Sequence, residues 1–169
     1  MKFTISNNLK TTLKILVILL TGAFIFVVFF RPLEFEDGWW HLATGRWIVQ
    51  NHAVPHYDPF SFTEKPDPWI LTQWLGSTIY YLVYQVGNIL GLKIFRLLLF
   101  LAAILIFVFY ARKKIPFYYL ITLVFFLVVG LASSCLLRPL VFNFFFIQFF
   151  LIILINYEKT KNSKNLLWI

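Results

Sequence analysis

Charge is scarce in this sequence. Of its 169 residues only 13% are Asp, Glu, Lys or Arg, while 60% are hydrophobic and 21% aromatic, and the mean hydropathy is +0.80. A soluble globular domain carries about 25% charged residues, so this composition excludes one. Cysteine is nearly absent as well: a lone Cys135 rules out an intramolecular disulfide and any cysteine-rich metal site, and within an apolar stretch it reads as a small buried hydrophobe. Acidic residues are scarce, seven against fifteen basic, for a net charge of +8. That excess does not point to a nucleic acid, because the basic residues punctuate apolar runs instead of gathering on one solvated face. No small-x-small cleavage site follows the apolar run from Ile15 to Phe30. Arg31-Pro32-Leu33 comes instead, which excludes a cleaved secretory signal and leaves an uncleaved first membrane helix. No internal repeat, low-complexity linker or second domain boundary is present, so residues 1–169 read as a single membrane module.

A helix that crosses a hydrocarbon core about 30 Å thick needs about 20 mostly apolar residues. Four stretches meet this: Thr12 to Phe30, Leu92 to Tyr110, Pro116 to Ser134 and Leu140 to Tyr157. A fifth, Trp69 to Leu90, holds Thr72, Gln73, Ser77, Thr78, Gln85 and Asn88, too polar a set for a span facing lipid. Charge decides its place. Lys2, Lys10 and Lys14, then Arg112, Lys113 and Lys114, then Lys159, Lys161 and Lys164 make up nine of the fifteen basic residues. Lys and Arg in short loops stay cytoplasmic. Four spans put all three clusters on one side, whereas five would export Arg112 to Lys114. The expected fold is therefore all-α and integral to the membrane, with four transmembrane helices and a cytoplasmic N-terminus in a multi-pass protein. Residues 31–91 form a first outer loop that carries two membrane-parallel amphipathic helices. Six of the seven acidic residues, Glu34, Glu36, Asp37, Asp58, Glu64 and Asp67, fall in that loop. The final Leu166-Leu167-Trp168-Ile169 reads as the start of another apolar segment, so the expectation is the N-terminal part of a longer polytopic protein.

The loop opens with Glu36-Asp37-Gly38-Trp39-Trp40-His41-Leu42-Ala43-Thr44-Gly45-Arg46-Trp47-Ile48-Val49. Wound as a helix at about 100° per residue, it sets Trp40, Ala43 and Trp47 on one apolar stripe and gathers Asp37, His41 and Thr44 within about 60° on another face. Asp37 and His41, four residues apart, can act as an oriented base or offer two ligands to a divalent metal ion. They can equally serve as a helix cap and a headgroup anchor. His52, His56 and Asp58 could complete a metal site, although their spacing matches no defined ligand motif. Arg138, before Pro139 at the outer end of the last span, has a lipid phosphate as its natural partner or else snorkels to ordinary headgroups. Lys93 and Arg96 pose the same choice, and Lys93 reads as snorkelling.

The string from Asp37 through Ile48, then Val54-Pro55, Asp58-Pro59-Phe60-Ser61-Phe62-Thr63, Pro68-Trp69 and Gln73-Trp74-Leu75, with Arg138-Pro139 beyond, resembles the N-terminal region of bacterial polytopic proteins of the GT-C glycosyltransferase superfamily. The resemblance implies a helical core whose first outer loop bears two membrane-parallel helices. It also implies transfer of a sugar from a polyprenyl-phosphate donor to an acceptor at the outer face of the cytoplasmic (inner) membrane. In that superfamily an acidic residue of the first outer loop is the catalytic base or a metal-linked carboxylate, a role that falls here on Asp37, with Glu36 in reserve. His41 would orient the base or share the metal. Arg138 and Arg96 would hold the donor phosphate, and Trp40 and Gln73 would contact substrate. Gln73 stands where the family often has an acid. The alternative is a non-catalytic membrane scaffold or lipid-binding assembly partner. A transporter fits less well, because polar groups and helix breaks are largely missing from the spans. Asn143 and Gln148 are the exceptions, and hydrogen bonds between helices account for them.

Overall fold

In the computed structural model, residues 7–33, 37–62, 68–132 and 141–161 are described. They form five helices in the order α1 Asn7–Phe29, α2 Gly38–Asn51, α3 Trp74–Ala111, α4 Phe117–Ala132 and α5 Val141–Thr160. No strand occurs among them; the one strand-like pairing is a single bridge between Tyr57 and Pro68. The all-helical expectation is met.

Helix boundaries follow local chemistry. α1 stops before Pro32, whose ring disfavours a helical residue ahead of it. Its threonines need no outside partner, because Thr11, Thr12 and Thr21 return their hydroxyls to carbonyls four residues back at 3.1, 3.0 and 2.8 Å. α4 follows Pro116, whose carbonyl accepts the Leu120 N–H, as suits a proline at a helix start. His52 closes α2 in the left-handed conformation, with φ of 50°.

α3 differs most from a simple rod. Its 38 residues would run about 57 Å at 1.5 Å per residue, nearly twice the hydrocarbon thickness. Asn88, with φ 49° and ψ −148°, breaks the helical path and splits the element into 74–87 and 89–111. Among the described residues three helices are long and apolar enough to cross a membrane: α1, α3 and, within α5, Phe142–Thr160. α4 is a shorter apolar helix of 16 residues, about 24 Å and short of a full crossing by its described residues alone. The chain is thus a multi-pass membrane protein by length and composition.

The core lies where α1, α3 and α4 meet, and aromatic rings fill it. Phe29 stacks on Phe100 with centroids 4.3 Å apart, and at the edge of the core Phe24 stacks on the exposed Phe125 at 5.3 Å. Leu92, Ile104, Val124 and Val128 pack around them. In lipid such contacts act by close packing, since tails are as apolar as the side chains.

The contacts also fix the two ends of the bundle. At one end Lys14 sits over the Phe117 ring at 5.7 Å, and Lys114 lies over Tyr110 at 4.1 Å and beside Lys159. At the other end Arg96 donates to the carbonyls of Phe29 and Arg31, while Arg31 donates to the carbonyl of Ala132 at 2.9 Å. Described members of all three basic clusters therefore share one end. α1 and α4 run parallel, and 89–111 runs against them.

Candidate functional site

α2 packs along the first half of α3, and glycine permits the approach. A Cβ built on Gly45 would lie 2.2 Å from the Ser77 carbonyl oxygen and 2.7 Å from the Tyr81 Cβ, distances no side chain tolerates. Gly38, His41, Leu42, Thr44, Gly45 and Ile48 form the buried face. The face holding His41 and Thr44 turns into the protein. The reason is steric. Gly45 makes this flank of α2 thin enough to sit against the backbone of α3.

His41 is 3% exposed and Ser77 is fully buried, and the His41 Nδ1 lies 3.0 Å from the Ser77 Oγ. When Nδ1–H donates to that hydroxyl, Nε2 keeps its lone pair and can accept a proton or a hydrogen bond. The indole of Trp40 meets the His41 ring edge-on at 5.0 Å and the Trp69 ring at 5.4 Å, so the imidazole is held from two sides.

Four of the expected site residues converge. Asp37, Trp40, His41 and Gln73 line one cleft of about 350 Å³, together with Trp69 and Thr72. Asp37, at the exposed start of α2, makes no side-chain cap bond. Residues 68–73 reach the cleft because the preceding loop is pinned: the Trp69 N–H donates to the His56 carbonyl at 2.8 Å, and Leu71 is buried. His56 and His52 are exposed, and Asp58 Oδ1 accepts the Phe60 N–H at 2.9 Å as a turn former. No three His, Cys, Asp or Glu side chains converge among the described residues. Among the described residues Asp37 and His41 therefore offer two protein ligands to a metal, too few to assign one.

Arg96 stands apart from the cleft. It is 4% exposed, and its Nε donates to the Phe29 carbonyl at 3.1 Å while another nitrogen reaches the Arg31 carbonyl. It ties down the end of α1, where carbonyls lack helical partners. Lys93 rests over the Phe30 ring at 5.8 Å. Glu36 and Arg138 lie outside the described residues, as do Glu34, Glu64, Asp67 and Cys135.

Sequence reasoning missed Ser77, which holds His41. The signal was available: Gly76-Ser77 is a small-residue pair in an otherwise bulky segment, matched by Gly38 and Gly45 seven residues apart on α2. Trp69 and Thr72 also join the cleft unexpectedly. Compared with protein families, curated proteins and solved structures, the chain matches none.

Proposed function

We propose that this protein is a glycosyltransferase-like membrane protein that moves a sugar from a polyprenyl-phosphate-linked donor to an acceptor at the outer face of the cytoplasmic membrane. On this reading α1, residues 89–111, α4 and α5 cross the bilayer, while α2 and residues 74–87 lie along the outer face. The N-terminus is cytoplasmic. The shared basic end of the bundle supports that orientation, because lysines and arginines beside spans are retained inside.

One observation carries the reading: a carboxylate, an imidazole with a buried partner, two indoles and an amide meet in a cleft at the start of α2. Asp37 accepts the proton of an acceptor hydroxyl as its oxygen bonds to the anomeric carbon. The bond from that carbon to the donor phosphate oxygen breaks, and polyprenyl phosphate leaves with the electron pair. His41, fixed by Ser77, orients Asp37 or the acceptor, and Trp40 and Trp69 offer faces against which a sugar ring can pack. Gln73 supplies an amide for a sugar hydroxyl. Arg138 remains the expected cation for the donor phosphate; Arg96 is a weaker candidate, since its nitrogens are engaged by α1. No step requires a divalent metal.

The test is Asp37→Asn, assayed as release of polyprenyl phosphate from a panel of polyprenyl-phosphate hexoses by membranes containing the protein. Asparagine keeps the side chain's size and removes its basicity, so turnover should drop by about two to four orders of magnitude with expression unchanged. His41→Gln should lose less. Undiminished turnover by Asp37→Asn removes Asp37 from the mechanism and favours the scaffold reading, which the structural engagement of Arg96 also suits.

A further inference from the structure

The opposite flank of α2 carries a second cleft of a different character. It is larger, about 550 Å³, and lies between α2 and the first half of α3, walled by Trp39, Trp47, Tyr81 and Tyr84. Its polar groups are Arg46 and the amides of Gln50, Gln85 and Asn88. No carboxylate is among the described residues that line it, and no ion pair joins Arg46 to a described residue. The Asp37 cleft has the reverse composition, with an acid and, among the described residues that line it, no Lys or Arg. Nine residues separate Asp37 from Arg46, which is about 13 Å along the axis and about half a turn around it. One bound phosphate cannot serve both.

Two further features mark the second cleft as built for an occupant. Asn88 lines it from a backbone conformation that residues other than glycine seldom adopt, with φ 49° and ψ −148°, and strain of this kind persists where the surroundings impose it. The Gln85 side chain is held in place at the wall, its Nε2 donating to the Tyr81 hydroxyl at 3.1 Å. Indole and phenol rings with a polar edge favour the headgroup zone of a bilayer. A cation there pairs with phosphate oxygens by charge-assisted hydrogen bonds.

We infer that this cleft binds the headgroup of an anionic phospholipid, with the phosphodiester on Arg46, headgroup hydroxyls on the Gln50 and Asn88 amides, and the glycerol region packed on Trp47 and Tyr84. The inference rests on the membrane character of the chain and is independent of sugar transfer, so it survives if Asp37 proves inert.

The experiment is native mass spectrometry of the purified full chain, titrated with phosphatidylglycerol and separately with phosphatidylcholine. Wild type should retain phosphatidylglycerol in preference. Arg46→Gln should weaken that binding by about ten- to a hundredfold, and Arg112→Gln, at the basic end, should leave it unchanged. Equal binding of the two lipids, or equal losses from both variants, overturns the proposal. Displacement of the lipid by millimolar glycerol phosphate also overturns it, in favour of a soluble phosphate ester. A second measurement does not depend on Arg46: brominated phosphatidylglycerol should quench a tryptophan component in wild type that is missing from Trp47→Phe. Identical quenching in the two proteins refutes the placement.

Discussion

Gly45→Ala tests the contact on which both clefts depend. The added methyl would sit 2.2 Å from the Ser77 carbonyl oxygen, 2.7 Å from its carbon and 2.7 Å from the Tyr81 Cβ. All three atoms are backbone or the root of a side chain, so no rotamer change relieves them. α2 must retreat by about 1 Å to restore ordinary van der Waals contact. Overpacking of this kind costs about 1–3 kcal/mol. The same retreat lengthens the 3.0 Å contact between His41 and Ser77 toward 4 Å, forfeiting roughly 0.5–1.5 kcal/mol for a buried hydrogen bond. Alanine's better helix propensity returns about 1 kcal/mol. The net loss is about 2 kcal/mol, or about 4–8 °C for a chain of this size. Gly22→Ala is the control, because a Cβ there meets nothing within 4 Å and only the propensity gain of about 1 kcal/mol remains. Melting of the solubilised protein, followed by the loss of its monodisperse chromatographic peak, reads both variants. A Gly45→Ala protein that melts at or above wild type would falsify the close approach of α2 to α3.

Arg96→Gln should destabilise the protein by about 3 kcal/mol, since charge-assisted bonds to two carbonyls are lost; Arg96→Lys should not rescue it, because a single ammonium lacks the planar fork, and full rescue by lysine would show that charge alone matters there. Reporter fusions at Lys113 and Lys161 should read cytoplasmic and one at Glu64 external, as the shared basic end implies; an external signal at Lys113 removes the four-span arrangement. Asn88→Gly should raise stability by about 1 kcal/mol by relieving the positive φ, and a lower melting temperature would mean that the asparagine side chain holds the break in α3. In an active preparation Lys93→Ala should leave affinity for the lipid-phosphate donor nearly unchanged, whereas Arg138→Ala should weaken it by about ten- to a hundredfold; equal small effects return Arg138 to the role of a headgroup anchor.

Much of the fold was legible because the bilayer imposes a length and a polarity that a chain cannot evade. The apolar runs after Lys14, after Lys93 and after Pro116 become α1, the second half of α3, and α4. The polar content of residues 69–90 marks a separate segment, and the helix does break at Asn88. What composition could not supply was the continuity of α3: nothing in the sequence around Asn88 distinguishes a break within one element from a loop between two. The basic clusters carried the pairing of helix ends, since like-charged termini cannot be buried and must collect where water and counter-ions reach them. The contacts of Lys14, Lys114 and Lys159 are consistent with that.

The site was legible in its angles but not in its surroundings. Projection around α2 placed Asp37, His41 and Thr44 on one face and Trp40, Ala43 and Trp47 on another, and periodicity alone is sufficient for that. Periodicity does not say what each face meets. A helix docks closely where it is thin, and here Gly45 sits against the Ser77 carbonyl and Tyr81. Burial of His41 follows from the Gly45 contact and not from its own chemistry. Once buried, its ring nitrogen needs a partner, and Ser77 is the residue that the Gly45 contact brings opposite. Asp37, a turn earlier, stays at the open edge of the same face, so a fixed imidazole and an accessible carboxylate end up side by side. Arg46, half a turn away, is left to the other cleft. The nine-residue spacing sets acid and cation on opposite sides of one short helix, and the Gly45 contact decides which flank docks between their two clefts.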